Sequence, residues 1–444
     1  MGRDAETDVE EPLKVVRIAI LLATLALSPG LGLAAGSGAS SAAAAPGWVT
    51  QVSSHTGVPE FMIGIDKDTQ TFFMFTKKSP LEVSRKLPCT TGSTPGDKMR
   101  EGDMRTPEGV YFVEEKVPGK LDYGLYGDHA FSLNYPNPVD RLKGKTGHGI
   151  WIHGRGKQFV SNDTKGCVAL TAQDISALNG HIPPGTPVVI AKKLSWTKEA
   201  GASEQTAHLL ADRVRHWASD WQKKSDHFFE YFQPEKFAQT EGMSFAAFKS
   251  HKQGIFSRQP WINVMVDNVR VLQGPDYWVT TFEQYYRTQD LISAVGKRFY
   301  WQKDKDGAWR IVGGEYTEAS PGIEARYLSS KRADMDRLLK GWLEAWLAAD
   351  VDKYMSYYAD DATNGKQTNA KAMRDYKAAL WVSKTPTRIA ADKVEVAMHQ
   401  KGFKVSFVQT YEDSAGQSDK GQKTLVLAPK GDSFVILSET WSKM

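Results

Sequence analysis

The segment Gly147–Leu170 reads GHGIWIHGRGKQFVSNDTKGCVAL and holds a histidine, His153, fourteen residues before a cysteine, Cys167. A thiol attacks carbonyls as the thiolate, and a neighbouring imidazole lowers its pKa from about 8.5. Such a pair supplies base and nucleophile for acyl transfer. The apolar run Ile150–Ile152 predicts a strand that delivers His153 to its end, beside Gly154. Thr164-Lys165-Gly166-Cys167 predicts a tight turn, because glycine before the cysteine lets the backbone approach a substrate closely. Peptide N–H groups at Gly166–Cys167 are expected to stabilise a tetrahedral oxyanion, with Gly154 and Thr164 as backbone support. This chemistry requires neither a metal nor an organic cofactor. Spacing alone suits equally an inert buried thiol beside a surface histidine. Trp151 alternates with His153 and shares its strand face, either as a wall of the site or as core. Lys165 and His148 are candidate substrate contacts, with a solvated or structural turn role as the alternative.

The elements that must position these residues come from a wider pass. The chain has 444 residues, enough for about three domains. From about Phe61 to Lys193, short apolar runs separated by Gly, Pro, Asn and Asp predict strands and turns. Only Thr171–Leu178 reads as a helix there, with Thr171 as its N-cap. After Leu194 the period changes. A helix is predicted over 208–232, followed by strands near 262–272, 277–288, 295–303 and 309–316. The same order recurs with a helix over 336–358 and strands near 389–399, 403–413, 422–428 and 434–441. Trp217 and Trp221 match Trp342 and Trp346, and Phe282-x-Gln284-x-Tyr286 matches Phe407-x-Gln409-x-Tyr411, at a spacing of 125 residues. Two copies of one α+β module thus fill the C-terminal half, joined by a link, 319–330, that carries Pro321 and Gly322. Each copy is long enough for its own core.

These motifs carry two resemblances. His153-Gly154 with Thr164-x-Gly166-Cys167-Val168 resembles the L,D-transpeptidase catalytic domain of the YkuD type. Cys89-Thr-Thr-Gly92, Gly96-Asp97-Lys98, Glu101-Gly-Asp-Met-Arg-Thr-Pro-Glu-Gly-Val-Tyr111 and Tyr135-Pro136-Asn137 resemble its branch containing murein L,D-carboxypeptidases. The resemblance implies a mainly-β domain, Cys167 as nucleophile and His153 as base. It further implies attack on the bond from the L-centre of diaminopimelate to a terminal D-amino acid, with the acyl group passed to an amine or to water. Many family members carry Arg two places after the cysteine to hold substrate carboxylate. Ala169 stands there in this chain, which leaves the acceptor open and makes Lys165 the candidate replacement. The repeated modules resemble the nuclear transport factor-like (SnoaL-like) family, which implies a bent sheet curled around a helix to leave a cone.

The expected architecture is therefore multidomain: a mainly-β catalytic domain over 46–197, then two tandem α+β cone-like domains over 203–320 and 328–444. Residues 1–45 read as a leader and linker. Lys14 and Arg17 precede the short apolar run Ile18–Leu27, which is too brief for a bilayer span of roughly 20 residues. A secretory signal is expected, with an uncleaved anchor as the alternative. This places the protein in the periplasm or cell envelope, with membrane attachment only if the leader is retained. The formal charge of +4 is scattered along the chain, so no nucleic-acid footprint is present. Expected partners are peptidoglycan stem peptides and, through the C-terminal modules, an envelope protein. Cys89 and Cys167 are the only cysteines. Because a nucleophile must be free, they are not expected to form a disulfide, and Cys89 reads as a packing residue.

Overall fold

The computed structural model describes residues 47–77 and 80–444, so the expected leader lies outside the described residues. Among these residues no helix is long and apolar enough to cross a membrane.

The chain is multidomain. In its N-terminal part eight strands form one sheet, in the order Leu81–Pro88, Thr71–Lys77, Phe61–Asp66, Pro187–Ala191, Gly109–Lys116, Ala130–Leu133, Trp151–His153 and Val168–Ala169. Side chains alternate between its faces with period two. Ile63, Ile65, Tyr111, Val113, Val188 and Ile190 join Ile152 and Val168 in one cluster. Their neighbours Met62, Val110, Phe112, Val189 and Ala191 belong to another. Strand Pro187–Ala191 is buried along its whole length, because it is central and covered on both sides. The expected helix is present as Ala172–Leu178. Thr171 Oγ1 caps it by accepting from Asp174 N at 3.1 Å, and Ile175 and Leu178 pack onto the first cluster.

Two α+β units follow. In the first, the strands Asn263–Gln273, Trp278–Arg287, Ile292–Lys303 and Trp309–Glu318 form an antiparallel sheet in chain order. In the second, Pro386–His399, Gly402–Asp413, Ser418–Lys430 and Ser433–Lys443 do the same, and Tyr358–Thr363 adds an edge strand. Some helix limits differ from expectation. The helix Ser203–Gln222 stops because Lys224 takes a φ of +56° and Ser225 caps a separate 3-10 turn, Asp226–Tyr231. The second long helix, Ile323–Leu347, starts inside the expected link, with Gly322 at its N-cap. Helices Pro234–Glu241, Phe245–Arg258 and Ala370–Ser383 were not expected. Each buries three side chains or fewer, which is too sparse a stripe to read from periodicity.

Each unit has its own aromatic core, yet both share further surfaces. Tyr277, Val279, Tyr300 and Val312 of the first unit lie in the cluster that holds Val110 and Phe112 of the catalytic sheet and Val139 of the short helix Pro138–Leu142. Tyr277 Oη accepts from Val110 N at 2.9 Å and from Asn137 Nδ2 at 3.0 Å. The Arg298 guanidinium sits 4.0 Å over the Phe112 ring. On its other side the first unit gives Tyr285 and Ile292 to the second unit's core, where Tyr285 stacks on Tyr327 with centroids 4.5 Å apart. Tyr277→Phe leaves two buried donors without their acceptor. It should cost about 1–3 kcal/mol, seen as a lower urea midpoint of the full chain by near-UV circular dichroism. An unchanged midpoint would contradict this role.

Candidate active site

His153 ends the strand Trp151–His153, which pairs in parallel with Val168–Ala169 in the register Ile152 with Val168 and His153 with Ala169. Paired residues share a face and alternate ones return to it, so Cys167 lies on the face of Trp151 and His153. Diagonal neighbours in a sheet are about 7–8 Å apart, within reach of an imidazole.

The turn before Cys167 is held from both sides. Thr164 Oγ1 accepts from Gly166 N at 3.1 Å and donates to Cys167 O at 2.7 Å. Thr106 Oγ1 donates to Gly166 O at 2.9 Å. Gly166 has a φ of +126°, and a Cβ there would lie 2.8 Å from Arg105 O, so only glycine fits. Thr90 exchanges both backbone hydrogen bonds with Ala169 at 2.8 Å, which makes the Cys89–Gly92 motif the outer neighbour of the nucleophile strand. One expectation needs correction. The Gly166 N–H is already engaged by Thr164, so it is not a free oxyanion donor.

His153 is buried, and its Nδ1 lies 2.6 Å from Gly154 O. A carbonyl only accepts, so Nδ1 carries the proton and Nε2 keeps its lone pair. Burial lowers the His153 pKa, opposed by that backbone bond and reinforced by Arg155, so the ring is held neutral. Tyr126 packs its ring 5.2 Å from His153 and 5.4 Å from Trp151. Gly154 is needed here too, since a Cβ would lie 2.5 Å from Ile175 Cγ2.

Cys167 is partly exposed, and its thiol donates to Gly149 O at 3.6 Å. Desolvation pushes the thiol pKa up, while a Trp151 backbone hydrogen bond and the Lys98 charge pull it down. Among the described residues no hydrogen bond joins Cys167 to His153. The resting pair is therefore a neutral thiol and a neutral imidazole on one face. Cys89 is a free, fully buried core residue whose thiol is pushed up to about 12, mainly by desolvation.

The structure brings together Cys167, His153, Gly154, Thr164, Gly166 and Trp151. Lys165 and His148 lie exposed on their turns, and Lys165 makes no ion pair among the described residues. Ala169 is wholly buried. The cation close enough to act on Cys167 is instead Lys98, buried and paired with Asp103 at 2.9 Å. The Gly96-Asp97-Lys98 motif carried this residue, but nothing in its spacing indicated its approach to the thiol. Tyr126 was also missed, because it sits on a four-residue helix, Tyr123–Tyr126, with no periodic signal. Two cavities of about 300 and 600 Å³ are lined by residues from Ala202 onward, not by His153 or Cys167.

Residues 60–190 match the family model described as the L,D-transpeptidase catalytic domain, YkuD. Residues 209–315 and 334–440 each match the Cds6 C-terminal NTF2-like domain. The chain joins a YkuD-type L,D-transpeptidase catalytic domain to two NTF2-like domains. YafK of Escherichia coli, whose name places it among the L,D-transpeptidases, is 34% identical over 119 residues, 26% of this chain. The chain spans 44% of the length of that curated relative. Bd1075 of Bdellovibrio bacteriovorus is similar in fold, with a TM-score of 0.50 at 24% identity, over 62% of this chain and 98% of that one. The helical cell shape determining protein Pgp2 of Campylobacter jejuni aligns at a TM-score of 0.45 and 24% identity, over 57% and 91% of the two chains.

In this L,D-transpeptidase domain the two thiols should react unequally. Iodoacetamide should label Cys167 alone in the native protein and both cysteines after denaturation. Because burial raises the Cys167 pKa, its labelling rate should keep climbing past pH 8.5 rather than level off near neutrality. Peptide mass mapping across pH checks this. An acidic plateau would reveal a preformed thiolate–imidazolium pair.

Proposed function

We propose that this protein is a cysteine L,D-transpeptidase of the cell envelope that acts on the diaminopimelate to D-Ala bond of peptidoglycan stem peptides. The observation that carries this reading is the lone pair of His153 Nε2, left free by the Nδ1 bond to Gly154 O, on the same sheet face as the Cys167 thiol.

Nε2 takes the thiol proton as sulfur attacks the scissile carbonyl. With Gly166 N–H bound to Thr164, the oxyanion falls to the nucleophile's own Cys167 N–H. The tetrahedral intermediate collapses, the C–N bond breaks, and the imidazolium returns its proton to the departing D-Ala amine. A thioester on Cys167 remains. An acceptor amine then attacks it and gives a proton to His153, the C–S bond breaks, and His153 passes that proton to the departing sulfur, leaving a new amide and a free thiol. With water as acceptor the same thioester yields a tripeptide, which is L,D-carboxypeptidase activity. Ala169 keeps this second reading open, since the arginine that helps hold substrate carboxylate in many members is missing. A further alternative is a catalytically inactive murein-binding scaffold. The intact turn and the base-ready tautomer weigh against it. Export is part of the proposal, because the substrate lies outside the cytoplasmic membrane and Lys14–Leu27 reads as a leader. The two NTF2-like domains are proposed to engage murein or an envelope protein.

Cys167→Ala should abolish both D-Ala release and any transfer product, and His153→Ala should lower turnover by about 10²–10⁴. Tetrapeptide muropeptides followed by mass spectrometry, with and without an added amine, read both activities and any acyl adduct on Cys167. Wild-type turnover by Cys167→Ala would end this reading.

The pH profile gives a separate test. His153 acts when neutral, and burial depresses its pKa, so neutral imidazole persists to lower pH than usual. The acid limb of kcat/KM should therefore fall below the ordinary histidine value of about 6.5. A limb at or above that value would contradict the buried, neutral base.

A further inference from the structure

Lys145 is only 5% exposed and lies just ahead of the loop that holds the nucleophile's carbonyl partner. Its Nζ forms ion pairs with Asp97 Oδ2 at 2.7 Å and with Asp140 Oδ1 at 2.8 Å. Its backbone N–H donates to Asp140 O at 3.0 Å. Asp140 belongs to the short helix Pro138–Leu142, where its other oxygen accepts from Asn137 N at 3.2 Å in a capping box. Asp97 Oδ1 in turn accepts from Glu108 N at 2.8 Å. Desolvation pulls the Lys145 pKa down, but the two carboxylates outweigh it and hold it above the ordinary lysine value, so the ammonium stays charged. One buried ammonium thus joins three segments: the short helix, the Gly96-Asp97-Lys98 motif and its own loop.

The residues that follow the joint on two of these segments bear on Cys167. Asp97 precedes Lys98, whose Nζ is held by Asp103 at 2.9 Å and by Arg100 O at 3.2 Å, and whose charge favours negative charge at sulfur. Lys145 precedes Thr146–Gly149. There Thr146 N donates to Met99 O at 3.1 Å, and Thr146 Oγ1 accepts from Glu101 N at 3.2 Å. The same loop ends at Gly149, whose carbonyl receives the Cys167 thiol. The Lys98 stretch and the Gly149 loop are therefore bonded side by side, and Lys145 pins them at their buried end.

We propose that Lys145 is a positioning residue for the Cys167 thiol: its two ion pairs hold the Lys98 stretch against the Thr146–Gly149 loop, so that ammonium and carbonyl meet the sulfur in a fixed arrangement. Two carboxylates that share one ammonium repel each other once it is gone. Loss of Lys145 therefore drives the Asp97 motif from the helix, and Lys98 moves with it. The inference rests on Cys167 as the nucleophile. Alkylation reads the thiol without any substrate, so its failure is distinct from failure of the proposed reaction.

The test is a double-mutant cycle on the full chain, with Lys98→Met, Lys145→Met and both together. Peptide mass mapping follows the iodoacetamide labelling rate of Cys167 at about pH 8. In the parent chain Lys98→Met should slow labelling about threefold or more, since a nearby positive charge that favours the thiolate is removed. In the Lys145→Met background the same change should alter the rate by less than about 1.5-fold, because coupled residues do not act additively. A lysine that only stabilised the fold would leave the Lys98 effect unchanged in folded protein. If Lys145→Met loses its near-UV circular dichroism, Lys145→Met with Asp140→Asn replaces it, since asparagine keeps the acceptor for Asn137 N without a bare buried carboxylate. The proposal is overturned if Lys98→Met slows labelling by the same factor in both backgrounds, or has no effect in the parent.

Discussion

The pairing of His153 with Ala169 across two short parallel strands is the constraint on which the rest of the site depends. Parallel pairing puts equivalent positions on one face, so a base at a strand end and a nucleophile two residues before its partner must share that face. A slip of one residue would turn Cys167 to the opposite side. Strands of three and two residues cannot hold such a register by themselves. Thr90 locks Ala169 from the far edge, and Thr164 and Thr106 fix the turn through three hydroxyl hydrogen bonds. The threonines of the motifs thus set the geometry that the histidine and cysteine use.

That geometry also decides the charge state. Burial acts in opposite directions on an acid and a base, raising the Cys167 pKa and lowering that of His153. Both shifts favour the uncharged pair, so the charges of attack arise only as substrate reacts. Stabilising groups are already placed for that moment. The Trp151 backbone and the Lys98 ammonium both favour negative charge at sulfur. Lys98 is itself held by Asp103, whose carboxylate takes three backbone N–H bonds, from Met99, Arg100 and Arg105. The Glu101-Gly-Asp stretch therefore serves as a mount for a buried cation whose charge acts on the thiol.

Much of this was legible in the sequence, for reasons particular residues make plain. The strand into His153 follows from Ile150–Ile152, and the turn from a glycine whose φ of +126° other residues rarely adopt. The tandem repeat showed because Phe-x-Gln-x-Tyr strands and paired tryptophans occupy the core in both copies. What stayed hidden depends on contacts between segments far apart in sequence. Tyr126 reaches His153 from a separate short helix, and the Lys98 charge acts on Cys167 from another loop. The oxyanion assignment to Gly166 failed for a similar reason, since a side chain two residues away competes for its N–H. Independence of the repeats was equally beyond periodicity, which shows which face of a strand is apolar but not what covers it.

The period-two pattern of the catalytic sheet links these levels. Along Gly109–Lys116, Tyr111 and Val113 face the cluster behind the site, while Val110 and Phe112 face the first NTF2-like unit. Tyr111 packs on Tyr135, with ring centroids 5.9 Å apart, and Tyr135 Oη donates to Thr146 O. Three residues beyond lies Gly149, whose carbonyl receives the Cys167 thiol. On the other face, Tyr277 and Arg298 grip the same strand through Val110 N and the Phe112 ring. One strand thus supports the nucleophile's loop on one side and the accessory unit on the other. Contact of this kind is not by itself energetic coupling. It does fix the first NTF2-like unit in one orientation relative to Cys167, so a ligand held there would stand at a set distance and angle from the reactive thiol.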